Sequence, residues 1–202
     1  MKKITYALLL LTFVFGACGN DKTKISTTEK NDDGTITKTE VDVKGMNNAA
    51  DEKEQKMDAL KKLKPRTIEQ LKALLPEEID EVKQSNYNAS ATMGYTYASA
   101  DYKKDQEKGL EIQLFDCAGE MGAMYYSTAF MAGMNFQQEN ENEYTKTIDF
   151  NGGRAIENHR KEQNHTTLTY IVNDRLMVVL QGNNMSPEEL KAVAKKLDFK
   201  VS

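Results

Sequence analysis

Three kinds of side chain in this sequence could do chemistry by type and spacing. Cys117 closes the run Leu110-Glu111-Ile112-Gln113-Leu114-Phe115-Asp116-Cys117, two residues before Gly119. A thiolate there would be a nucleophile, with His159 or His165 as its base. No local signature of a cysteine hydrolase surrounds it, and a single cysteine at a strand end is ordinarily a small buried hydrophobe. His159 and His165 bracket a short loop and offer two imidazoles, half of a zinc set that Glu157 or Glu162 could extend with an oxygen. Solvated loop-edge histidines are the commoner case. Met121-x-x-Met124 and Met131-x-x-Met134 are the softer candidates, since paired thioethers suit Cu(I), with Cys117 close in sequence. The same spacing is what any buried helix face shows, where methionine fills gaps. Copper binding therefore carries a condition: the thioethers must be partly exposed and converge within a few ångströms.

Tyr87, Tyr95, Tyr97, Tyr102, Tyr125 and Tyr126 could line a groove for a glycan or peptide, or form the edge of a core. There is no glycine-rich phosphate loop, usefully spaced carboxylate dyad or Ser-His-Asp motif. These residues lead to the expectation of a non-enzymatic protein with no resident cofactor. Binding of an unknown protein or small molecule is the leading function. Soft-metal binding by Met121, Met124, Met131 and Met134 is the alternative, and a Cys117-dependent hydrolase ranks third.

The elements that must carry these residues are read from periodicity. Thr67-Ile68-Glu69-Gln70 has the spacing of a capping box, and Ile68, Leu71, Leu74 and Leu75 follow as a helical stripe that stops before Pro76. From 87 to 102 the period becomes two, with Ala91, Met93, Tyr95 and Tyr97 on one side, which predicts one strand. Residues 110–117 are a second strand, with Leu110, Ile112, Leu114 and Asp116 together. Helical spacing returns over 118–136, where Met121, Met124, Tyr125, Thr128, Phe130, Met131 and Met134 make a broad apolar face. Residues 137–143 read as a loop. Strands follow at 144–150, 154–159, 167–172 and 176–180. The last helix opens on Ser186-Pro187-Glu188-Glu189, with Ser at the N-cap, Pro at N1 and Glu at N3. The order is α-β-β-α-β-β-β-β-α. The expected fold is α+β: a mostly antiparallel sheet of about six strands covered by helices.

Ahead of this domain the chain is polar. Between Gly19 and Asn48 charges of both signs alternate and large apolar groups are few, so the segment cannot offset its own ordering entropy. Asn31-Asp32-Asp33-Gly34, flanked by Ser26-Thr27-Thr28 and Thr35-Ile36-Thr37, is hairpin chemistry. An isolated hairpin is marginal in water. The expectation is a flexible tail with a reach of about 30 Å. From Ala49 to Leu63 the composition favours a helix, ended by Pro65.

The first eighteen residues have a different character. Lys2 and Lys3 precede the run Ala7-Leu8-Leu9-Leu10-Leu11-Thr12-Phe13-Val14-Phe15, which is too short to span a bilayer. Gly16 and Ala17 are small, and Cys18 follows. A charged head, an apolar middle and small residues before a cut describe a secretory signal peptide. With a cysteine at the first mature position it resembles the bacterial lipoprotein signal. That resemblance implies a diacylglyceryl group on the Cys18 sulfur and a fatty acyl group, such as palmitate, on the new N-terminus. Gly19-Asn20, with no aspartate directly after the cysteine, implies the outer membrane. Asp21-Lys22 is similar to export signals of lipoproteins in the Bacteroidota. The resulting division is 1–17 signal peptide, 18–48 lipidated polar tether, 49–64 linker helix and 65–202 α+β domain. Without Cys18 the chain keeps one thiol, Cys117, so no intrachain disulfide forms.

With 27 basic and 31 acidic residues the formal charge is −4, and without Lys2 and Lys3 it is −6, with no basic stripe. Nucleic acid is therefore not an expected partner. The membrane, through the N-terminal lipid, is. Phe150-Asn151-Gly152-Gly153-Arg154-Ala155, the 167–180 hairpin and the ending Lys196-Leu197-Asp198-Phe199 resemble the Mog1/PsbP-like fold, whose members mostly bind partners. That resemblance implies a binding role and brings no catalytic residues.

Overall fold

The structure is a computed structural model that describes residues 24–43, 46–92, 94–105, 108–129 and 134–199. Its frame is one ten-stranded antiparallel sheet built from three runs of neighbouring strands. The hairpin β1 (Lys24–Lys30) and β2 (Ile36–Asp42) forms one edge. From there the chain crosses through α1 (Met46–Lys61), α2 (Ile68–Lys72) and the short ribbon β3 (Glu78–Ile79) and β4 (Val82–Lys83) to the opposite edge. There β5 (Ser85–Thr92), β6 (Tyr95–Lys103) and β7 (Gly109–Asp116) run inward. Helix α3 (Gly119–Ala129) returns the chain to β8 (Asn135–Glu139), which pairs with β2. A meander of β9 (Glu143–Phe150), β10 (Gly153–Arg160), β11 (His165–Val172) and β12 (Leu176–Asn183) closes the sheet against β7, and α4 (Pro187–Ala194) follows.

Period-two alternation divides the side chains between two faces. On the main core face Ala98, Ala100, Ile112, Leu114, Leu168, Val178 and Leu180 pack under α2, the turn that follows it, and α4, through Leu71, Leu75, Leu190 and Ala194. Full burial of each such leucine contributes about 1.5–3 kcal/mol. On the reverse face Met177 and the half-buried Phe115, Ile171 and Val179 pack under Leu60 of α1 and Ala123 and Tyr126 of α3. The caps of α2 and α4 form as their sequences require. Thr67 accepts from the Gln70 N–H at 3.3 Å, and Ser186 accepts from the Glu189 N–H at 3.3 Å, each reciprocated by the N3 side chain at 2.9 Å.

The expected α+β domain with about six strands is corrected. The described fold is mostly β, with ten strands in one sheet, two more in a ribbon, and four helices. The expected flexible tail is corrected with it. The Asn31 amide donates to Thr35 and Thr37 Oγ1 at 2.7 and 2.9 Å, and Asp33 accepts from the Thr35 N–H at 2.9 Å. That closes the β1–β2 turn, and β8 supplies the third strand that an isolated hairpin lacks. Residues 135–139 were expected within a helix end and a loop; pairing with β2 and β9 makes them β8.

Two facings also differ from expectation. The single strand over 87–102 is two strands, turned at Gly94 with φ +82°. In β6 the fully buried side is Thr96, Ala98, Ala100 and Tyr102, while Tyr95 and Tyr97 lie half-buried on the reverse face. In α3 the sheet-facing side is small rather than methionine-rich. A Cβ on Gly122 would lie 2.7 Å from the Asp116 carbonyl oxygen and 2.8 Å from the Cys117 carbonyl carbon. Helix and sheet backbones therefore touch there, and Met121 and Met124 turn outward, 37% and 57% exposed.

Candidate functional site

Cys18, Met131 and the leader lie outside the described residues. Cys117 sits at the end of β7 with no exposure, and burial pushes its thiol up to about 12. A nucleophilic cysteine needs the opposite, a depressed pKa and access. His159 pairs in register with Thr166, and His165 with Arg160. Alternation along β11 sends the two histidines to opposite faces of the sheet, so they cannot share an ion. His159 Nδ1 is 2.9 Å from Thr166 Oγ1, whose own hydrogen goes to the Met185 carbonyl at 2.7 Å, so the imidazole N–H donates. His165 Nδ1 lies 2.9 Å from Asn183 Oδ1. Among the described residues no group of three or more His, Cys, Asp or Glu is arranged to hold a metal. Met121 and Met124 are exposed on α3, and Met134 is half-buried beyond it.

The six tyrosines divide. Tyr95, Tyr97 and Tyr125 gather with Phe115 on the reverse face, with ring centroids 4.8–5.2 Å apart. Tyr102 lies in the main core and donates to the Pro76 carbonyl at 2.6 Å. Tyr126 is buried beneath α1, and Tyr87 is exposed with the Lys72 ammonium 4.6 Å over its ring. No common groove contains all six.

Two buried carboxylates, Glu157 and Asp116, organise the polar interior in roles that the sequence reading did not give them. Glu157, 1% exposed, accepts from the Tyr144 hydroxyl at 2.9 Å and meets the Lys146 and Lys191 ammoniums at 3.3 and 2.8 Å. Burial pushes its carboxyl up, but Lys191 and Tyr144 outweigh that and hold it below the usual range. It is thus a fixed anion pinning α4 to β9 and β10; a general base would be tuned the other way, toward neutrality. Asp116, with no exposure, takes both Nε and Nη2 of Arg175 at 2.8 Å and the Arg66 N–H at 2.6 Å. Arg175 Nη2 also donates to the Lys64 carbonyl at 3.0 Å. Beside this clamp lies a cleft of about 330 Å³ lined by Lys64, Pro65, Arg66, Thr67, Gln70 and Arg175. Its geometry serves the fold: Arg175 is committed to Asp116, and Thr67 and Gln70 to each other's backbone.

A second cavity, about 310 Å³, opens on the main core face at the same end of the sheet. It is bordered by the β9–β10 turn, the β11–β12 turn and the segment after α4. Those are the three stretches whose pattern stood out in the sequence: 150–155, the 167–180 hairpin and 196–199. Phe150, Tyr170, Val172, Leu197 and Phe199 supply apolar walls, and Phe150 and Tyr170 meet with ring centroids 5.0 Å apart. Asn151 and Asn173 take left-handed φ of 48° and 50°, which asparagine tolerates, and so allow tight turns at the rim. The Tyr170 hydroxyl is buried and has no hydrogen-bond partner. Leaving such a group unsatisfied costs about 1–3 kcal/mol, and native structures rarely do so without a reason. Burial also pushes its phenol up, so it stays protonated.

Fold and cavity define a class: a mostly antiparallel β protein, helices on both faces of its sheet, with a small aromatic-lined cavity at one end. The chain matches no protein-family model, no curated protein and no solved structure. The cavity was missed in the sequence because Phe150, Tyr170 and Phe199 are far apart in the chain. A signal did exist in two Asn-containing turns and a Gly-Gly pair next to aromatic residues.

Proposed function

We propose that this chain is a lipid-anchored protein of the bacterial cell envelope that binds a small molecule without transforming it. The anchor is Cys18, in the outer membrane by the residues that follow it. The observation that carries the binding role is the cavity with the unsatisfied Tyr170 hydroxyl, at the small end of the range of ligand sites. The burial of Cys117, which leaves its thiol unexposed and pushed up to about 12, supports a binding role over a Cys117-dependent hydrolase. No described helix is long and apolar enough to cross a membrane, so the proposed attachment rests on Cys18.

The folded hairpin changes the geometry of anchoring. Five residues, 19–23, separate Cys18 from β1, and at full extension the leash spans about 20 Å. The sheet is then held close to the lipid surface by its β1 edge instead of standing off on a thirty-residue tether. Intact mass spectrometry after expression with its leader tests the anchor. The expected result is loss of residues 1–17 with a diacylglyceryl group and an added acyl chain at Cys18, and Cys18→Ser moves the protein to the soluble fraction. An unmodified Cys18 sulfur in membrane-fractionated protein overturns the reading.

A second reading, soft-metal binding, is favoured by the exposure of Met121 and Met124. Titration with Cu(I) under a competing chelator tests it: metal binding that Met124→Leu abolishes sustains it, and binding unchanged in Met124→Leu removes it.

A further inference from the structure

Charge at the turn-end cavity selects among ligands. Two of the lining side chains are charged, Arg154 and Asp198. The Arg154 guanidinium is committed elsewhere, donating to Asp149 Oδ1 at 2.8 Å, Asn135 Oδ1 at 2.6 Å and Thr147 Oγ1 at 3.0 Å. Neighbouring cations are committed too: Arg175 to Asp116, and Lys196 to Asp80 at 2.7 Å. Asp198 is exposed at the rim. Asn151 and Asn173 add neutral polar groups at the turns, and the remaining side chains of the wall are aromatic or aliphatic; aromatic ring faces attract cations. The unpartnered phenol oxygen of Tyr170 offers a lone pair.

Space is made by Gly153. It stands opposite Phe150 in the β9–β10 register, on the core face, and has no side chain. A Cβ there would meet only the Phe150 carbonyl oxygen, at 3.8 Å. Gly153 does not adopt a left-handed φ, so a larger residue fits its backbone. The glycine is not demanded by strain or crowding, and its lack of a side chain keeps the cavity open.

We infer that this cavity takes a small organic cation: a primary ammonium group on a short apolar or aromatic body. The body packs among Phe150, Val172, Leu197 and Phe199. The ammonium donates to the Tyr170 hydroxyl and faces Asp198. About 310 Å³ accommodates a ligand of about ten non-hydrogen atoms. The inference rests on the proposed reading of this cavity as the ligand site and names the ligand's charge.

The test uses the full chain in detergent micelles and three probes of one shape: 2-phenylethylammonium, 2-phenylethanol and phenylacetate. Titration is followed by calorimetry and protein NMR. The ammonium is expected to bind with a dissociation constant below about 1 mM, a reasonable value for a ligand this small. The neutral and anionic probes are expected to bind at least about tenfold more weakly. Tyr170→Phe is expected to weaken the ammonium about tenfold, the scale of one charge-assisted hydrogen bond. Asp198→Asn is expected to weaken it about threefold, the scale of an exposed charge. Gly153→Val fills the space and abolishes binding while the thermal midpoint holds or rises, because valine suits a strand. Equal binding of all three probes by the wild type, lost in Gly153→Val, overturns the cation and leaves the ligand site standing. Ammonium binding that persists in Gly153→Val, or no binding of any probe at 5 mM (roughly five times the expected constant), overturns both.

Discussion

Replacing Arg175 by alanine tests the clamp that holds this end of the sheet together. Asp116 has no exposure and receives two hydrogen bonds from the Arg175 guanidinium, one from the Arg66 N–H and one from the Ala118 N–H. Truncation leaves the carboxylate buried with two backbone donors and no counter-charge. It also frees the Lys64 carbonyl that Arg175 holds ahead of α2. Breaking a buried pair from one side typically costs 3–5 kcal/mol. The Arg175 side chain is 21% exposed, so solvent screens part of the attraction and the lower end applies, about 3 kcal/mol. That is a large fraction of the 5–15 kcal/mol of a typical native protein (roughly). With a urea m-value of about 2 kcal/mol/M, the unfolding midpoint falls by about 1.5 M. The loss carries a pH signature. Burial raises the Asp116 carboxyl, but Arg175 and the two N–H groups outweigh it and hold it below the usual value. A carboxyl lowered in the folded state stabilises the fold fully above its unfolded value, about 4. That stabilisation is lost as pH falls through the folded value. The gap between wild type and Arg175→Ala should therefore be full at pH 7 and narrow as acid is added below about pH 4. A midpoint shift under about 0.5 M, or a gap unchanged down to about pH 3, refutes the account of a charge pair that matters for stability.

Three further outcomes follow from the packing. Gly122→Ala should destabilise by about 2 kcal/mol, because the added Cβ meets sheet backbone at 2.7 and 2.8 Å and that overpacking exceeds alanine's helix preference. Thermal melting should show a midpoint about 5 °C lower, and an unchanged or raised midpoint contradicts the tight α3 contact. The Cys117 thiol, unexposed and pushed up to about 12, should resist a disulfide reagent at neutral pH for hours and react within minutes in urea; prompt reaction in the native state would reopen the hydrolase reading. Dilute peroxide should oxidise Met121 and Met124 well before Met177 and Met185, which are 5% and 6% exposed. Peptide mass spectrometry reads the order, and equal rates would mean that α3 does not face outward as described.

Local chemistry was legible in the one-dimensional chain wherever a few neighbouring residues settle it. The capping boxes Thr67–Gln70 and Ser186–Glu189, the Asn31–Gly34 turn and the alternation of Leu110, Ile112 and Leu114 all form as their spacing demands, since each depends on contacts within a handful of residues. Side-chain facing and the partners of polar strands were not legible. The β1–β2 segment has too little apolar surface to fold alone, and it becomes ordered structure through β8, a hundred residues away. Met121 and Met124 have the spacing of a core stripe, yet Gly122 and Ala123 face the sheet because the backbones approach too closely there for larger side chains. The same holds for the cavity. Phe150, Tyr170 and Phe199 meet only after two strand turns and the segment after the last helix are brought to one end of the sheet, and burial then leaves one phenol without a partner. Periodicity reports what a segment prefers by itself. Which surface it finally covers is a long-range packing outcome, and that is where the candidate site lies.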